Sequence, residues 1–403
     1  MILGFVLAAI WNYLNTMVNL SVSADLGGPK FDLVCFSHLR WDFVYQRPQH
    51  LISRFADERR VFFIEEPVFD EDKPRLDISE RQGGLHVVVP HLPADSEAKE
   101  THDTLRALLD GLIADRKIDE FVSWYYTPQM LPWSDHIRPL AVVYDCMDEL
   151  SAFKFAPADL LENERLLLEK ADVVFTGGQS LYEAKRGRHS NVHAFPSSID
   201  FEHFSAARSI SDDPADQARI AHPRLGYCGV IDERLDLALL DELASRRPDW
   251  QFAMVGPVVK ISEDDLPRRQ NIHYLGGKQY DELPAYLAGW DIAIMPFALN
   301  ESTKFISPTK TPEYLAAGKP VISTPIRDVI RPYGEAGLVD IAATAEEFER
   351  AAERLLQEER QKDWIVRVDS FLSERSWDKT WSEMKQLIEQ ELSKPIAVSN
   401  LAV

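Results

Sequence analysis

Two charged side chains late in the sequence have the types and spacing to hold a phosphorylated ligand. Lys310 and Glu313 lie in Ser307-Pro308-Thr309-Lys310-Thr311-Pro312-Glu313-Tyr314, and helical residues three apart are surface neighbours. The segment follows the apolar run Asp291 to Phe297 and precedes Val321, so it reads as strand, polar loop, short helix, strand. Ser307 or Thr311 can cap that helix, each is followed by a proline suited to a first helical position, and Gly318 can end it. Such a helix points free N–H groups and its positive pole out of the carboxyl end of a sheet, which favours an anion. Lys310 adds a full positive charge there, and Glu313 can accept hydrogen bonds from a vicinal diol such as ribose. The plainer alternative is a solvated loop lysine and a glutamate that steadies a helix start.

A second group is Gly229-Val230-Ile231-Asp232-Glu233-Arg234, directly after the apolar run Leu225 to Cys228. Gly229 lets backbone approach a diphosphate, and Arg234 can bind it through paired donors; the alternative is a surface arginine. The N-terminal half has its own concentration of polar, cationic and aromatic groups at the exit of its first strand, in Phe36 to His50. There His38, Arg40, Trp41, Asp42, Gln46 and Arg47 are candidates for binding an acceptor, because open α/β sheets bind ligands at such exits. Trp41 and Tyr45 can stack on a sugar or simply cover the helix that follows. After the run Leu140 to Tyr144, Asp145 and Asp148 share one sheet edge, where a carboxylate can take a proton from an attacking hydroxyl. One of the two can equally cap the next helix.

These groups need a frame, and the chain supplies it twice. Apolar runs at Phe31–Phe36, Val61–Ile64, Leu85–Val89, Phe121–Tyr125, Leu140–Tyr144, Val173–Thr176 and Val192–Phe195 alternate mostly with helical stretches. The alternation restarts at Leu225–Cys228 and continues through Phe252–Val255, Ile272–Leu275, Ile292–Met295, Val321–Ser323 and Leu338–Ile341. Continuous apolar runs of this length suit parallel strands covered on both faces. The expected fold class is therefore α/β, two Rossmann-like doubly wound domains with a cleft between them. We place an apolar N-terminal extension at 1–30, the acceptor-binding domain at 31–205, a hinge at 206–222, the nucleotide-sugar domain at 223–375 and a C-terminal helix and tail at 376–403 that packs back on the first domain. Neither half carries G-x-G-x-x-G after its first strand, nor a Walker motif, so the phosphates must be held by other means.

Glu313, Tyr314, Gly318, Pro320 and Val321 match the E-Y-x-x-x-G-x-P-V pattern of the group 1 family of GT-B glycosyltransferases, and the sequence resembles that family here. The resemblance implies that Glu313 binds ribose and that Gly229 and Arg234 lie near the pyrophosphate. Many members carry an acid eight positions before this glutamate, but here that place is Phe305, with Glu301 and Asn300 the available substitutes. The Phe36 to His50 block resembles bacterial cell-surface polysaccharide glycosyltransferases, including teichuronic-acid-biosynthesis-type members. Phe195-Pro196-Ser197-Ser198-Ile199-Asp200 resembles the family's passage into the hinge, with Ser197-Ser198 replacing Asn-Gly. The expectation is a glycosyltransferase using a nucleotide diphosphate sugar, a UDP-sugar ahead of a GDP-sugar, without cofactor or essential metal. Asp70-Glu71-Asp72 has the acid-x-acid form of metal sites in the unrelated GT-A fold, but it sits in the wrong half. An epimerase of the same fold and a catalytically silent carbohydrate-binding subunit are the alternatives.

Composition narrows the partners. With 44 basic against 65 acidic side chains, the formal charge of -21 repels polyanions, so no nucleic acid is expected. A glycan or lipid-linked acceptor is compatible with it. Three scattered cysteines fit a reducing compartment and a cytoplasmic chain. In residues 1–24, Asn12, Asn15, Thr16, Asn19 and Ser23 form one polar stripe on an otherwise apolar helix. That suits a helix lying on the inner face of a membrane, a helix docked on the protein, or an upstream extension with the true start at Met17.

Overall fold

The computed structural model describes residues 30–70, 73–94, 98–357 and 362–394; the N-terminal segment 1–24, and Glu71 and Asp72 of the acidic string, lie outside them. The first sheet is built from β1 (Asp32–Ser37), β2 (Val61–Glu65), β3 (Val68–Phe69), β4 (Arg75–Glu80), β5 (Leu85–Leu92), β6 (Phe121–Tyr125), β7 (Ala141–Cys146), β8 (Val173–Thr176) and β9 (Val192–Ala194). Its order is β3-β5-β2-β1-β6-β7-β8-β9, with β4 paired to β5. β1 runs parallel to both β2 and β6, so the winding reverses direction at β1 and leaves a crevice beyond its carboxyl end. Every residue of β2, β6 and β7 is buried, as expected where helices cover both faces. The antiparallel β4 escaped the sequence reading because Arg-Leu-Asp-Ile-Ser-Glu is half polar and lies at the sheet margin.

The second sheet comprises β10 (Arg224–Cys228), β11 (Gln251–Val255), β12 (Ile272–Gly276), β13 (Ile292–Met295), β14 (Val321–Ser323) and β15 (Asp340–Ile341). Its order β12-β11-β10-β13-β14-β15 is all parallel, and its switch point lies beyond β10. The two doubly wound sheets expected from the alternation are therefore present. Val34 and Phe36 of β1 enter one apolar cluster and Leu33 and Cys35 another, on opposite faces of the first sheet, while a third cluster surrounds the second sheet.

Core membership shows where the chain passes between halves. Phe195 belongs to the first half's core and Ile199 to the second's; Leu372 belongs to the second and Trp377 to the first. Trp377, Met384 and Ile388 of the helix Trp377–Leu392 are buried in the same cluster as Leu51 and Phe55. Residues 206–222, read from composition as a hinge, are bonded throughout to the second half. Gln217 is fully buried and accepts from Trp290 Nε1 at 2.9 Å, and Asp213 pairs with the buried Arg224 at 2.7 Å.

Candidate functional site

The loops leaving the carboxyl ends of the two sheets contribute the groups that face each other. On the second half, β10 ends in Gly229, whose φ of +148° suits glycine. A methyl group on Gly229 would stand 2.1 Å from Lys310 Cε and 2.4 Å from Nζ, so the absent side chain is the space the lysine occupies. Lys310 opens the helix Lys310–Ala316, and its ammonium also lies 5.6 Å from the centroid of the Tyr227 ring. Burial pulls its pKa down, with Arg234 acting in the same direction. Glu313, one turn on, is pushed up to about 7 by burial while Lys310 pulls the other way. No carboxylate among the described residues closes an ion pair with Lys310.

The helix itself departs from the sequence reading at its start. Its N-cap is Thr309, with no side-chain cap bond, instead of Ser307 or Thr311. Thr311 is fully buried and turns its hydroxyl to Met295 Sδ at 3.6 Å, and the Ser307 carbonyl accepts from Ser197 Oγ across the halves at 2.7 Å. Ser307 thus belongs to the seam. The far end is as read: Gly318 has φ +73°, and the N–H of Lys319 returns to the Tyr314 carbonyl at 3.0 Å. Tyr314 braces β10 by accepting from the Cys228 N–H at 2.7 Å.

Arg234 needs correction. Its Nε and Nη2 donate to the buried Asp232 carboxylate at 3.0 and 2.6 Å, so one of its two donor edges is taken and only the Nη1 side is left for a diphosphate. The guanidinium carbon lies 5.6 Å from the centroid of the Phe153 ring, on the other half. Lys260, which pattern reading missed, reaches the same ring at 5.0 Å and holds the left-handed φ of +65°, an uncommon conformation for a side chain with a Cβ. Its only sequence signal is its place just after β11.

On the first half, most of the distinctive block is internally bonded. Arg47 and Asp145, 98 positions apart, form a fork with Nη2 to Oδ1 at 2.8 Å and Nε to Oδ2 at 3.1 Å, and Arg47 Nη1 donates to the Phe195 carbonyl at 2.7 Å. With side chains 3% and 0% exposed, neither is available as acceptor ligand or base; burial raises the Asp145 carboxyl, and Arg47 opposes that cost. Glu65 at the end of β2 takes Arg40 Nη1 at 2.9 Å and the Trp41 N–H at 2.7 Å. The Trp41 ring sits edge-on to Phe63 at 5.1 Å, as a cover. Asp42 pairs with Arg81 at 2.6 Å, and Gln46 is the N-cap of the helix Arg47–Ala56, its N–H bonded to Gln49 Oε1 at 3.0 Å.

Two of the groups read from this half of the sequence remain open among the described residues. Asp148 lies beyond β7 with no hydrogen bond to its carboxylate; burial raises its pKa, against Arg234, Arg47 and Lys260. The Nδ1 of His38, beyond β1, is buried without a partner, and burial, aided by Lys260, lowers this imidazole to about 4. It is therefore neutral near pH 7.

The seam has specific fastenings. Asp328 of the second half accepts from the Ser180 N–H, at the start of the first half's helix Gln179–Lys185, at 3.0 and 3.2 Å. Phe305 packs against the first half's core. Of the other candidates near the donor sugar, Glu301 is exposed beside Lys304 at 3.3 Å, and the Asn300 side-chain carbonyl closes a turn by accepting from the Ser302 and Thr303 N–H groups at 3.0 and 3.2 Å. Tyr280 stacks on His203 at 4.2 Å and packs on Tyr45 at 4.5 Å. Burial raises its hydroxyl pKa, and Glu313 adds to the effect.

Residues 222–358, within the second half, match the family model Glycosyl transferases group 1. A putative teichuronic acid biosynthesis glycosyltransferase of Bacillus subtilis (strain 168) is 30% identical over 238 residues, 55% of this chain and 59% of the relative. The match thus spans less than two thirds of that relative. Among solved structures, sucrose-phosphate synthase from Thermosynechococcus elongatus superposes with a TM-score of 0.66 at 16% identity, over 90% of this chain and 99% of its own. A trehalose-6-phosphate structure from E. coli bound with UDP-2-fluoro glucose gives 0.64 at 11% identity, over 89% and 99%. At such identities the likeness establishes the fold, which is GT-B.

Proposed function

We propose that this chain is a glycosyltransferase that moves a sugar from a nucleotide diphosphate sugar to a hydroxyl of a glycan or lipid-linked acceptor, in the synthesis of a cell-surface polysaccharide. The observation that carries the reading is Lys310 lying over Gly229 with Glu313 one turn beyond, inside a group 1 domain. The ammonium lying over Gly229 receives the diphosphate, and the Glu313 carboxylate accepts the ribose hydroxyls. The printed name of the Bacillus relative supports the polysaccharide role, and the UDP-2-fluoro glucose complex of a structural neighbour supports a UDP-sugar over a GDP-sugar.

Chemistry then needs three changes at once. The acceptor hydroxyl oxygen bonds to the anomeric carbon, the bond from that carbon to the diphosphate oxygen breaks, and the hydroxyl proton passes to a base. Asp148 is a carboxylate left open for that proton, and its raised pKa makes it a better acceptor than an ordinary aspartate. Lys310 opposes the charge gathering on the leaving diphosphate, the step at which preorganised electrostatics help most. No metal is needed in this scheme.

No helix among the described residues is long and apolar enough to cross a membrane. We place the chain in the cytoplasm, with residues 1–24 bringing it to the membrane surface where a lipid-linked acceptor lies. The test is a thermal-shift screen against a panel of UDP- and GDP-sugars, followed by donor hydrolysis and transfer assays with the sugar that binds. Ligand at 100 times its dissociation constant should stabilise by about 2.7 kcal/mol. Conversion of the donor to its epimer without transfer would replace this reading with an epimerase, and binding without turnover would replace it with a silent subunit.

A further inference from the structure

The loop leaving β10 carries one group that the donor site above does not use. Both carboxylate oxygens of Glu233 are shielded from solvent, and no protein group donates to either. An ionised carboxylate has acceptor sites for about four hydrogen bonds, and burying one with none filled is costly. Asp232 and Arg234 on either side are locked together in a fork, and Arg234 donates nothing to Glu233. The Asn300 amide reaches the Glu233 carbonyl at 3.5 Å, which sets this loop against the loop after β13, at the switch point of the second sheet. In that neighbouring loop the carboxylate and amide candidates are exposed or used in a turn, and Phe305 is packed on the first half. Beside the cation of Lys310 over Gly229, the loop after β10 thus carries a carboxylate with unfilled acceptors, distinct from Glu313 and Asp148.

We infer that Glu233 reads the transferred sugar: its two carboxylate oxygens accept hydrogen bonds from neighbouring hydroxyls of the donor's sugar ring. The inference rests on the donor-site reading proposed above. A phosphate would be repelled by the carboxylate, and among the described residues no group of three or more His, Cys, Asp or Glu side chains is arranged to hold a metal. A pair of hydroxyl donors is the chemistry that remains. A site built around such bonds rejects an analogue lacking the hydroxyl, because the carboxylate then stays buried and unpaired.

The test compares Glu233→Gln with the parent in the full chain, by isothermal titration with UDP, GDP, UDP-glucose, UDP-glucuronate, UDP-N-acetylglucosamine and GDP-mannose, and by thermal unfolding without ligand. The expected variant holds the nucleoside diphosphate as tightly as the parent or more tightly. It binds the parent's preferred nucleotide sugar roughly tenfold or more weakly, the loss of hydrogen bonds to a charged acceptor. Its ligand-free melting temperature is unchanged or higher, because the amide leaves fewer unfilled acceptor sites in the shielded pocket. Equal weakening toward nucleoside diphosphate and nucleotide sugar, unchanged binding of both, or a lower melting temperature would each overturn the inference. A parent that binds none of these ligands overturns the donor reading together with it, whereas a parent that binds them and an indifferent variant overturns the inference alone.

Discussion

The two halves treat their charged side chains in opposite ways. In the second half the Lys310 ammonium and the Glu313 carboxylate have no hydrogen bond or ion pair among the described residues. In the first half Arg47, Arg40, Asp42 and Asp145 are closed into internal pairs. Under the proposed function, the contrast follows from what each site would bind. A diphosphate and a ribose are fixed in shape and charge, so cation and carboxylate can be held ready, and the energetic cost of leaving them unpaired returns on binding. A block of Arg, Trp, Asp and Gln looks like a ligand site in sequence, yet here it pins a loop between β1 and the helix Arg47–Ala56. A dense run of polar and aromatic residues at a strand exit can therefore be framework, with His38 Nδ1 and the Asp148 carboxylate beside it left unbonded among the described residues.

The largest effect should come from breaking the framework. Asp145→Asn or Arg47→Met leaves one member of a buried pair unpaired, and each should lower unfolding stability by about 3–5 kcal/mol in a urea titration. Turnover per folded molecule should change far less. If stability holds while acceptor binding is lost, Arg47 belongs to the acceptor site after all and the contrast between the halves weakens.

Next in size is Asp148. Asp148→Asn should keep donor affinity and cost about 10²-fold or more in turnover, the range for a lost general base. An unchanged rate, or a product that retains the donor's anomeric configuration, counts against the role.

On the donor side the two open groups should separate. Glu313→Ala removes the acceptor of the ribose hydroxyls, a loss of about 1–3 kcal/mol felt equally by nucleoside, nucleoside diphosphate and nucleotide sugar. Lys310→Ala should depress turnover more than nucleoside affinity, because its charge matters most as the diphosphate leaves. Titration calorimetry and steady-state rates on both variants check this. A folded Glu313→Ala chain that binds every ligand as the parent does would remove the donor assignment.

The smallest effect sharpens the same point through pH. The Glu313 carboxyl keeps its proton up to about 7 in the folded chain, against 4.5 ordinarily. Its contribution to stability is thus fully present below 4.5 and lost as pH rises through 7. Glu313→Gln has no proton to lose, so its melting temperature relative to the parent should climb between about pH 5 and pH 8. A difference that stays flat across that range would mean the carboxyl is better solvated than its setting implies.

Short-range features were legible in the sequence: the strand runs of both sheets, the glycine after β10, and the Gly318 stop, which a left-handed residue at a helix end requires. So was Tyr314 to Val321 as a family motif. These depend on periodicity and on the backbone limits of single residues, which a linear reading contains. Pairing was not legible. Whether Arg47 meets a ligand or Asp145 is decided by β1 and β7 lying in one sheet, and whether Arg234 is free is decided by the fold of its own loop onto Asp232. The same holds for Lys260 and Phe153, brought together from different halves, and for Glu233, whose isolation shows only once its neighbours are seen to be committed elsewhere. The sequence by itself determined which elements form and which residue types stand at their ends. Tertiary structure alone decided which of those charges are neutralised, because ion pairing depends on distance in space, and residues far apart in the chain set that distance.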